Sequence, residues 1–445
     1  MRSLSLHRFR NYRRLDISFS EGLNVLRGDN AQGKTNILEA IFLCSAGRSH
    51  RTARDADMVM YGERSARVCA RIWHPLRGEM EIDIAIERGG GKAIMINGVP
   101  LRRMGELLGH LPAVIFSPED LGVIKNEPQA RRRFLDIFIS QAKPAYFFDL
   151  HQYNKALRQR NALLRQLRAQ HAGGAAPFSE GGAPQGRGLD SRFPEGGAPH
   201  GWGQPEGAGL LEGWQGGGAH GVLAALDAPV ARLGARVMDD RRAFSELIGA
   251  RAQANHAAVC GGSETLRVAY APSIKISRED ARQDIERKIL EALARGADAD
   301  IARMSTQAGP HKDDLSATLD GKSLKIYGSQ GQQRTASLAL KMAQVDVMAE
   351  ESEDMPVLLL DDVMSELDAA RQGNLVTRMR ATQTFLTGAD SRFLREAELR
   401  GTPFASPKAV ADAPAVASPE SGADAPAMQA IAVFVVHGGR VERDK

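Results

Sequence analysis

Gly28-Asp29-Asn30-Ala31-Gln32-Gly33-Lys34-Thr35 matches the pattern G-x-x-x-x-G-K-[ST], and its reading decides the fold. Chance produces that pattern in only about one or two per hundred sequences of this size. A short apolar run, Leu23 to Leu26, precedes it, and Ile37, Leu38, Ile41 and Phe42 follow at helical spacing. Strand, glycine loop and helix in that order make a phosphate-binding unit. Gly28 and Gly33 let backbone N–H groups turn inward around phosphate oxygens at a helix N-terminus, where peptide dipoles favour an anion. Lys34 is expected to reach the β- and γ-phosphates, and Thr35 to place its hydroxyl on Mg2+. Asp29, Asn30, Ala31, Gln32 and Asn36 complete the candidate nucleotide-binding stretch, with ATP as the expected ligand.

Far downstream, Val357-Leu358-Leu359-Leu360 is a buried-strand run that ends in Asp361-Asp362. Strands often end in acids, so this pattern is weak alone and strong beside a phosphate loop. Asp361 is expected to hold Mg2+, directly or through water. Asp362 is placed to polarise the attacking water, a task that needs a carboxylate near the γ-phosphate.

Ser329-Gln330-Gly331-Gln332-Gln333-Arg334-Thr335 resembles the signature of ABC ATPases, with Gln330 in place of the first glycine. Ser329, Gly331 and Gln332 are thereby candidates to cap a γ-phosphate held by another subunit. A polar helix N-cap explains the same residues locally. Ser365-Glu366-Leu367-Asp368 resembles the D-loop of the same ATPases. Together these imply a head-to-head dimer with two ATP molecules between the protomers.

The chain also resembles the RecF family across most of its length. The matching pieces are Phe9-Arg10-Asn11-Tyr12, Gly28 to Asn36, Gly47-Arg48-Ser49, Phe116-Ser117-Pro118-Glu119-Asp120-Leu121 and Arg132-Arg133-Phe134-Leu135-Asp136. Gly309-Pro310-His311-Lys312-Asp313-Asp314, Ser329 to Thr335 and Leu360 to Asp368 complete the set. The resemblance implies an α/β fold: a P-loop ABC/Rad50-like ATPase head with a helical second lobe inserted between its halves. It implies ATP-dependent homodimerisation on DNA, duplex or at single-strand/duplex junctions, with weak, DNA-stimulated ATP hydrolysis. It further implies partnership with RecR and RecO in placing RecA at gapped DNA, in recombinational repair and replication-fork maintenance. Thr387-Gly388-Ala389-Asp390 departs from the family's Thr-rich segment, which would approach the γ-phosphate.

Outward from these motifs the chain divides into three. Residues 1–115 are mixed α/β, with alternation at Leu15, Ile17 and Phe19, at Ile82, Ile84 and Ile86, and at Ile94 and Ile96 before Asn97-Gly98. They form the first half of the head, and the later alternations suggest a β-meander. Residues 116–304 become helical and basic from about Pro128, with ten Lys/Arg against three acids between Lys125 and Arg168. Solvated helix faces and a nucleic-acid surface both account for that excess. Arg158, Arg160 and Arg165 sample it. Arg131, Arg132 and Arg133 cannot share one helix face, so at least one serves packing or an internal ion pair. Residues 305–445 form the second half of the head, and Ile431, Val433 and Val435 alternate like a final strand.

Two biased segments interrupt this plan. Residues 172–221 are rich in Gly, Ala and Pro, and Phe178, Glu180 and Gly181 to Pro184 recur fifteen positions later as Phe193, Glu195 and Gly196 to Pro199. Two glycine-rich copies cannot build a solenoid, so a disordered insertion is expected. Its helical flanks, Arg158 to Gln170 and Val222 to Phe244, suit the arms of a hairpin. Residues 402–427 read as a linker.

Hydrophobic content of 43%, charged content of 25% and a net charge of +4 are ordinary for a globular chain, and only mildly suited to a polyanion. Cys44, Cys69 and Cys260 are read as forming no CxxC or Cys/His pair, so no zinc site or disulfide framework is expected. Neither an apolar leader nor a run of about 18 apolar residues is present, so the expectation is a cytoplasmic protein with no membrane partner. His311 after Gly-Pro reads as a turn histidine more readily than a base, and Arg48 suits phosphate, DNA or an ion pair equally.

An SMC/Rad50-like chromosome or nuclease-associated ATPase is the main alternative. It requires a long heptad coiled coil between Lys34 and Ser329, where strands and a glycine-rich stretch stand instead. A transporter ATPase conflicts with the distant signature and with Gln330 and Asp362. A DNA-binding module without turnover is separated by a hydrolysis assay.

Overall fold

The computed structural model describes residues 1–74, 76–172, 219–352, 354–364, 367, 372, 375–376, 379, 382–388 and 432–444. Its centre is a six-stranded sheet in the order Arg440–Arg443, Ala432–His437, Leu23–Arg27, Thr384–Thr387, Val357–Leu360, Ala113–Phe116. All neighbours are parallel except the outer pair Ala432–His437 and Arg440–Arg443. Parallel strands must be covered on both faces, and the short apolar runs obey that rule. Val357 and Leu359 enter one core while Leu358 and Leu360 enter the other.

Helix Lys34–Ala46 lies on the first face, beneath an antiparallel sheet. That sheet runs Tyr12–Ser18, Ser3–Phe9, Ser65–His74, Gly78–Glu87, Lys92–Ile96, Val99–Pro100. Sandwiched between two sheets, the helix is buried at every position from Ile37 to Ala46. Its moderate apolar stripe in the sequence understates this. The expected meander is present, and Asn97 and Gly98 both take positive φ, 51° and 77°, to close its tight turn.

The opposite face carries helices Pro128–Ala142, Ala219–Cys260 and Gln330–Ser352 in one continuous core. Helix Pro144–Ala172 packs against Ala219–Cys260, as expected of hairpin arms, with Leu163, Leu164 and Leu167 meeting Leu223 and Ile301. The helical region also holds an unexpected three-stranded antiparallel sheet, Leu266–Ala271 against Asp314–Leu319 and Lys322–Ser323. The first two of these strands lie more than forty residues apart, too far for a local pattern to reveal.

The expected final strand is present as Ala432–His437. Ala432, Phe434 and Val436 are buried beneath the antiparallel sheet, whereas Val433 is half-buried and Val435 exposed. Val433 packs in part against the core of the opposite face, and Ile431 lies outside the described residues. Most of the insertion and all of residues 402–427 lie outside the described residues. No helix among the described residues is long and apolar enough to cross a membrane.

Candidate nucleotide site

Strand Leu23–Arg27 delivers the chain into a loop of three left-handed residues, Gly28 (φ 143°), Ala31 (φ 63°) and Gly33 (φ 113°). A Cβ on Gly28 would lie 2.1 Å from the Val436 carbonyl oxygen, and one on Gly33 within 2.8 Å of Asn11 and Tyr12 atoms. Glycine is required twice over, by backbone conformation and by close approach. Lys34 Nζ donates to the carbonyls of Gly28 (2.6 Å) and Asp29 (2.8 Å), so its charge rests on neutral dipoles within the loop.

The phosphate loop and the downstream aspartates meet directly. Thr35 Oγ1 donates to Asp361 Oδ1 at 2.8 Å, joining motifs 326 residues apart. Thr387 Oγ1 donates to the same oxygen at 2.9 Å and accepts the Asp362 N–H at 3.0 Å. Burial pushes the Asp361 carboxyl above its ordinary range, against the pull of the Thr35 and Thr387 hydrogen bonds, and Glu119 adds to the rise. Such a carboxylate gains from a cation at its oxygens. Asp362 is exposed and holds a left-handed φ of 52°. A Cβ at Gly388 (φ 73°) would fall 2.2 Å from Asp362 Oδ1, so the glycine at that departure from the family leaves room for this carboxylate. Ser365, Glu366, Asp368, Ala389 and Asp390 lie outside the described residues.

Several loop supports, Glu39, Arg51 and Gly438 among them, were not singled out from the sequence, and neither were the partners of Asn11 and Asn36. Asn11 Nδ2 donates to the Gln32 carbonyl (2.9 Å), Asn36 Nδ2 to Asn11 Oδ1 (2.8 Å), and Arg51 to Asn36 Oδ1 (3.1 Å). The Gly438 N–H donates to Gln32 Oε1 at 2.6 Å, so the last hairpin also braces the loop. Glu39, fully buried on the loop's helix, takes both arms of Arg10 at 2.6 and 2.8 Å and the Ser49 hydroxyl at 2.5 Å. Burial pushes Glu39 up, but these hydrogen bonds outweigh it and hold it below the usual carboxylate range. The matching pieces Phe9 to Tyr12 and Gly47 to Ser49 were the available signal, and what they lacked was any indication of their partners.

Ser329, Gly331 and Gln332 stand at the start of helix Gln330–Ser352. Ser329 Oγ accepts the Gln332 N–H at 3.2 Å while Gln332 Oε1 accepts the Ser329 N–H at 2.8 Å, a reciprocal capping box. Local capping is therefore present, and it leaves Ser329 and Gly331 exposed at a helix N-terminus. Among the described residues no hydrogen bond joins these three to residues 28–36. The same helix contacts the segment after strand Ala113–Phe116, which lies beside the strand carrying Asp361. Ser337 Oγ donates to the Asp120 carbonyl (2.9 Å), Lys341 Nζ lies 3.3 Å from Asp120 Oδ1, and the Asp361 N–H donates to Phe116 O (2.9 Å).

The basic stretch splits in two. Arg131 is buried and grips Asp314 through two bonds of 2.6 and 2.8 Å, while Arg132 and Arg133 donate to the Asp313 and Ser49 carbonyls. Arg160 is corrected from the sampled surface set: it is fully buried between Asp227 (2.6 Å) and Asp300 (2.7 Å). Lys155, Arg158, Arg165 and Arg168 are exposed on one side of helix Pro144–Ala172. Arg48 is exposed, without an ion pair among the described residues. His311 is structural in its bonding: Nε2 faces the Thr306 carbonyl (2.9 Å) and Nδ1 the Tyr153 hydroxyl (2.6 Å), and burial lowers it to about 4. The reading of the cysteines also needs correction, since His256 lies one helical turn before Cys260, with Nε2 3.8 Å from Sγ.

A phosphate loop, a distant aspartate pair and an exposed capped helix in one head have counterparts among known proteins. The sequence model of the RecF/RecN/SMC N terminal domain matches residues 1–401. The DNA replication and repair protein RecF of Acetivibrio thermocellus is 38% identical over 385 residues, covering 86% of this chain and 92% of the relative. This chain belongs to the RecF family. RecF of Ruminiclostridium cellulolyticum is 36% identical over 387 residues, with 87% and 92% covered. Among solved structures, the recombination mediator protein RecF of the RecFOR pathway, as RecF-ATPrS, is similar at 29% identity and a TM-score of 0.76. That likeness covers 100% of this chain and 98% of that one. The ABC/SMC-like head of the RecF family is thus the fold of this chain.

Proposed function

We propose that this chain is an ATP-dependent DNA-binding protein of recombinational repair and replication-fork maintenance. One observation carries the nucleotide part of the reading: the 2.8 Å bond between Thr35 and Asp361. A hydroxyl at the phosphate loop and a carboxylate at a strand end, brought together from distant segments, suit the oxygen pair that holds Mg2+ in P-loop ATPases. Membership in an ATPase family and likeness to RecF solved as RecF-ATP support ATP as the ligand.

In this reading Gly28 to Asn36 cradle the phosphates through backbone N–H groups. Lys34 exchanges the Gly28 and Asp29 carbonyls for phosphate oxygens, a switch that costs little because both sets of partners accept from one ammonium. Bound Mg2+ supplies charge neutralisation at the phosphates, with Thr35 and Asp361 as its protein partners. Asp362, exposed beside Thr387, orients the attacking water. Ser329, Gly331 and Gln332 act from a second copy, since an exposed helix N-terminus favours an anion that its own protomer does not supply. Residues 1–115 and 305–445 are the two halves of the head and 116–304 the inserted lobe. Hydrolysis is weak and DNA-stimulated, and the ATP dimer acts on duplex or gapped DNA with RecR and RecO to promote RecA loading. The stripe Lys155, Arg158, Arg165 and Arg168 is the lobe's candidate surface for DNA phosphates.

Sedimentation of the full chain with ATP, ADP or no nucleotide, each with and without duplex DNA, tests this. A dimer that forms with ATP and binds DNA is expected. A chain that stays monomeric under every condition would overturn the dimer, and ATP binding without DNA affinity would overturn the repair role. Neutralising Lys155, Arg158 and Arg165 together should reduce the salt dependence of DNA binding, by about 0.9 in log–log slope for each DNA phosphate that these side chains neutralise.

A further inference from the structure

Helix Ala219–Cys260 ends in a cluster that the nucleotide site does not use. His256 and Cys260, four residues apart, share one helix face, and Gly261 and Gly262, both left-handed (φ 63° and 77°), turn the chain back at once. The turn is closed by the Gly262 N–H on the Ala257 carbonyl (3.0 Å). Glu264 thereby returns beside the two helix residues. His256 Nε2 lies 3.8 Å from Cys260 Sγ and 3.8 Å from Glu264 Oε2, and the three ligand atoms all fall within 4.8 Å of one another. Among the described residues this is the one such group of histidine, cysteine and carboxylate.

We propose that His256, Cys260 and Glu264 bind a Zn2+ ion. Zinc bonds of about 2.0–2.1 Å to nitrogen or oxygen and about 2.3 Å to sulfur set tetrahedral ligands about 3.4–3.6 Å apart. The two observed 3.8 Å spacings, both to His256, need only a slight contraction, and the Cys260–Glu264 pair, within 4.8 Å, closes further as the side chains rotate onto the ion. An ion seated between the three groups bonds all of them at once. Thiolate with imidazole suits Zn2+ and disfavours Mg2+, so this site and the nucleotide's cation do not compete. Binding releases the Cys260 thiol proton to solvent, and the sulfur lone pair forms the bond to the metal.

The outer partner of the cluster gives the site a consequence. Glu264 Oε1 accepts from Gln332 Nε2 at 2.7 Å, and Gln332 Oε1 in turn holds the Ser329 N–H. An ion on Glu264 fixes the carboxylate that orients Gln332, the arrangement by which outer groups and metal ligands stiffen one another. This coupling rests on the proposed role of Ser329 and Gln332; metal binding itself does not, and is measured without nucleotide.

Full-length protein freed of metal by chelation is titrated with Co2+. One equivalent is expected to bind with a thiolate-to-cobalt charge-transfer band, and Zn2+ should displace it. Cys260→Ser should lose the band, Cys69→Ser should keep it, and Glu264→Gln should weaken binding by at least about tenfold. Absence of stoichiometric binding, or a band that survives Cys260→Ser, overturns the proposal. Should Cys260→Ser fail to fold, alkylation of the unmodified chain decides instead. Zn2+ is expected to protect Cys260 and not Cys69, and equal labelling with and without Zn2+ overturns the site.

Discussion

Lys34 in the phosphate loop and Arg160 in the helical lobe are both cations that the sequence marks as candidates for binding an anion, and their settings are opposite. Lys34 is held by two backbone carbonyls and stays partly open to solvent. Arg160 is fully buried, held by Asp227, Asp300 and the Thr306 hydroxyl. Carbonyl dipoles stabilise an ammonium without cancelling its charge, so a polyanion can still claim it. Two carboxylates more than offset a guanidinium's single charge and leave nothing for a ligand. The partner, not the basic residue, decides whether a cation serves binding or folding.

The sharpest way to break this contrast is to remove each cation. Lys34→Ala should abolish ATP turnover, by at least about a hundredfold, while leaving the melting temperature almost unchanged. Hydrolysis near the parent's rate would refute the loop assignment. Arg160→Ala should do the reverse, costing about 3–5 kcal/mol of stability because two buried carboxylates lose their common partner. Denaturant melts read this directly, and a loss below about 1 kcal/mol would place Arg160 outside the lobe's framework.

His311 sharpens the contrast with a smaller effect, because it is buried without a carboxylate. Burial takes it from 6.5 to about 4, so folding favours its neutral form. That stabilisation is complete above about pH 6.5 and is lost as pH falls toward 4, when the unfolded chain takes up a proton that the folded one refuses. His311→Gln should flatten the decline across this window by on the order of 1 kcal/mol, as followed by melts at stepped pH. An unchanged slope would assign the acid sensitivity elsewhere, with His50, also lowered to about 4 by burial, the next group to test.

The smallest effect is expected from deleting residues 174–218. The helices on either side already pack through Leu163, Leu164, Leu167 and Leu223 and through the Arg160–Asp227 pair. Closing the same hairpin with a shorter loop changes the closure entropy by only about 0.6 kcal/mol per halving. A variant that melts many degrees lower, or fails to dimerise with ATP, would show that the segment belongs to the mechanism.

The sequence alone was sufficient for the strand–glycine loop–helix unit, the strand that ends in Asp361 and the meander. Each is a local pattern whose residue types follow from local chemistry: glycine for left-handed backbone, alternation for a half-buried strand, an apolar run for a strand covered twice. It also supplied the principle that three adjacent arginines cannot share one helix face, so that at least one serves packing or an internal ion pair. Only the tertiary structure decided which arginines were spent internally, because Asp227, Asp300 and Asp314 come from distant segments and no periodicity announces a partner. It likewise decided that Ala432, Phe434 and Val436 form the buried face of the last strand, since both parities of that strand are apolar. The meeting of Thr35 with Asp361, and of Glu264 with Gln332, was out of reach for the same reason. Local pattern sets what a residue can do, and burial against a particular neighbour sets what it does.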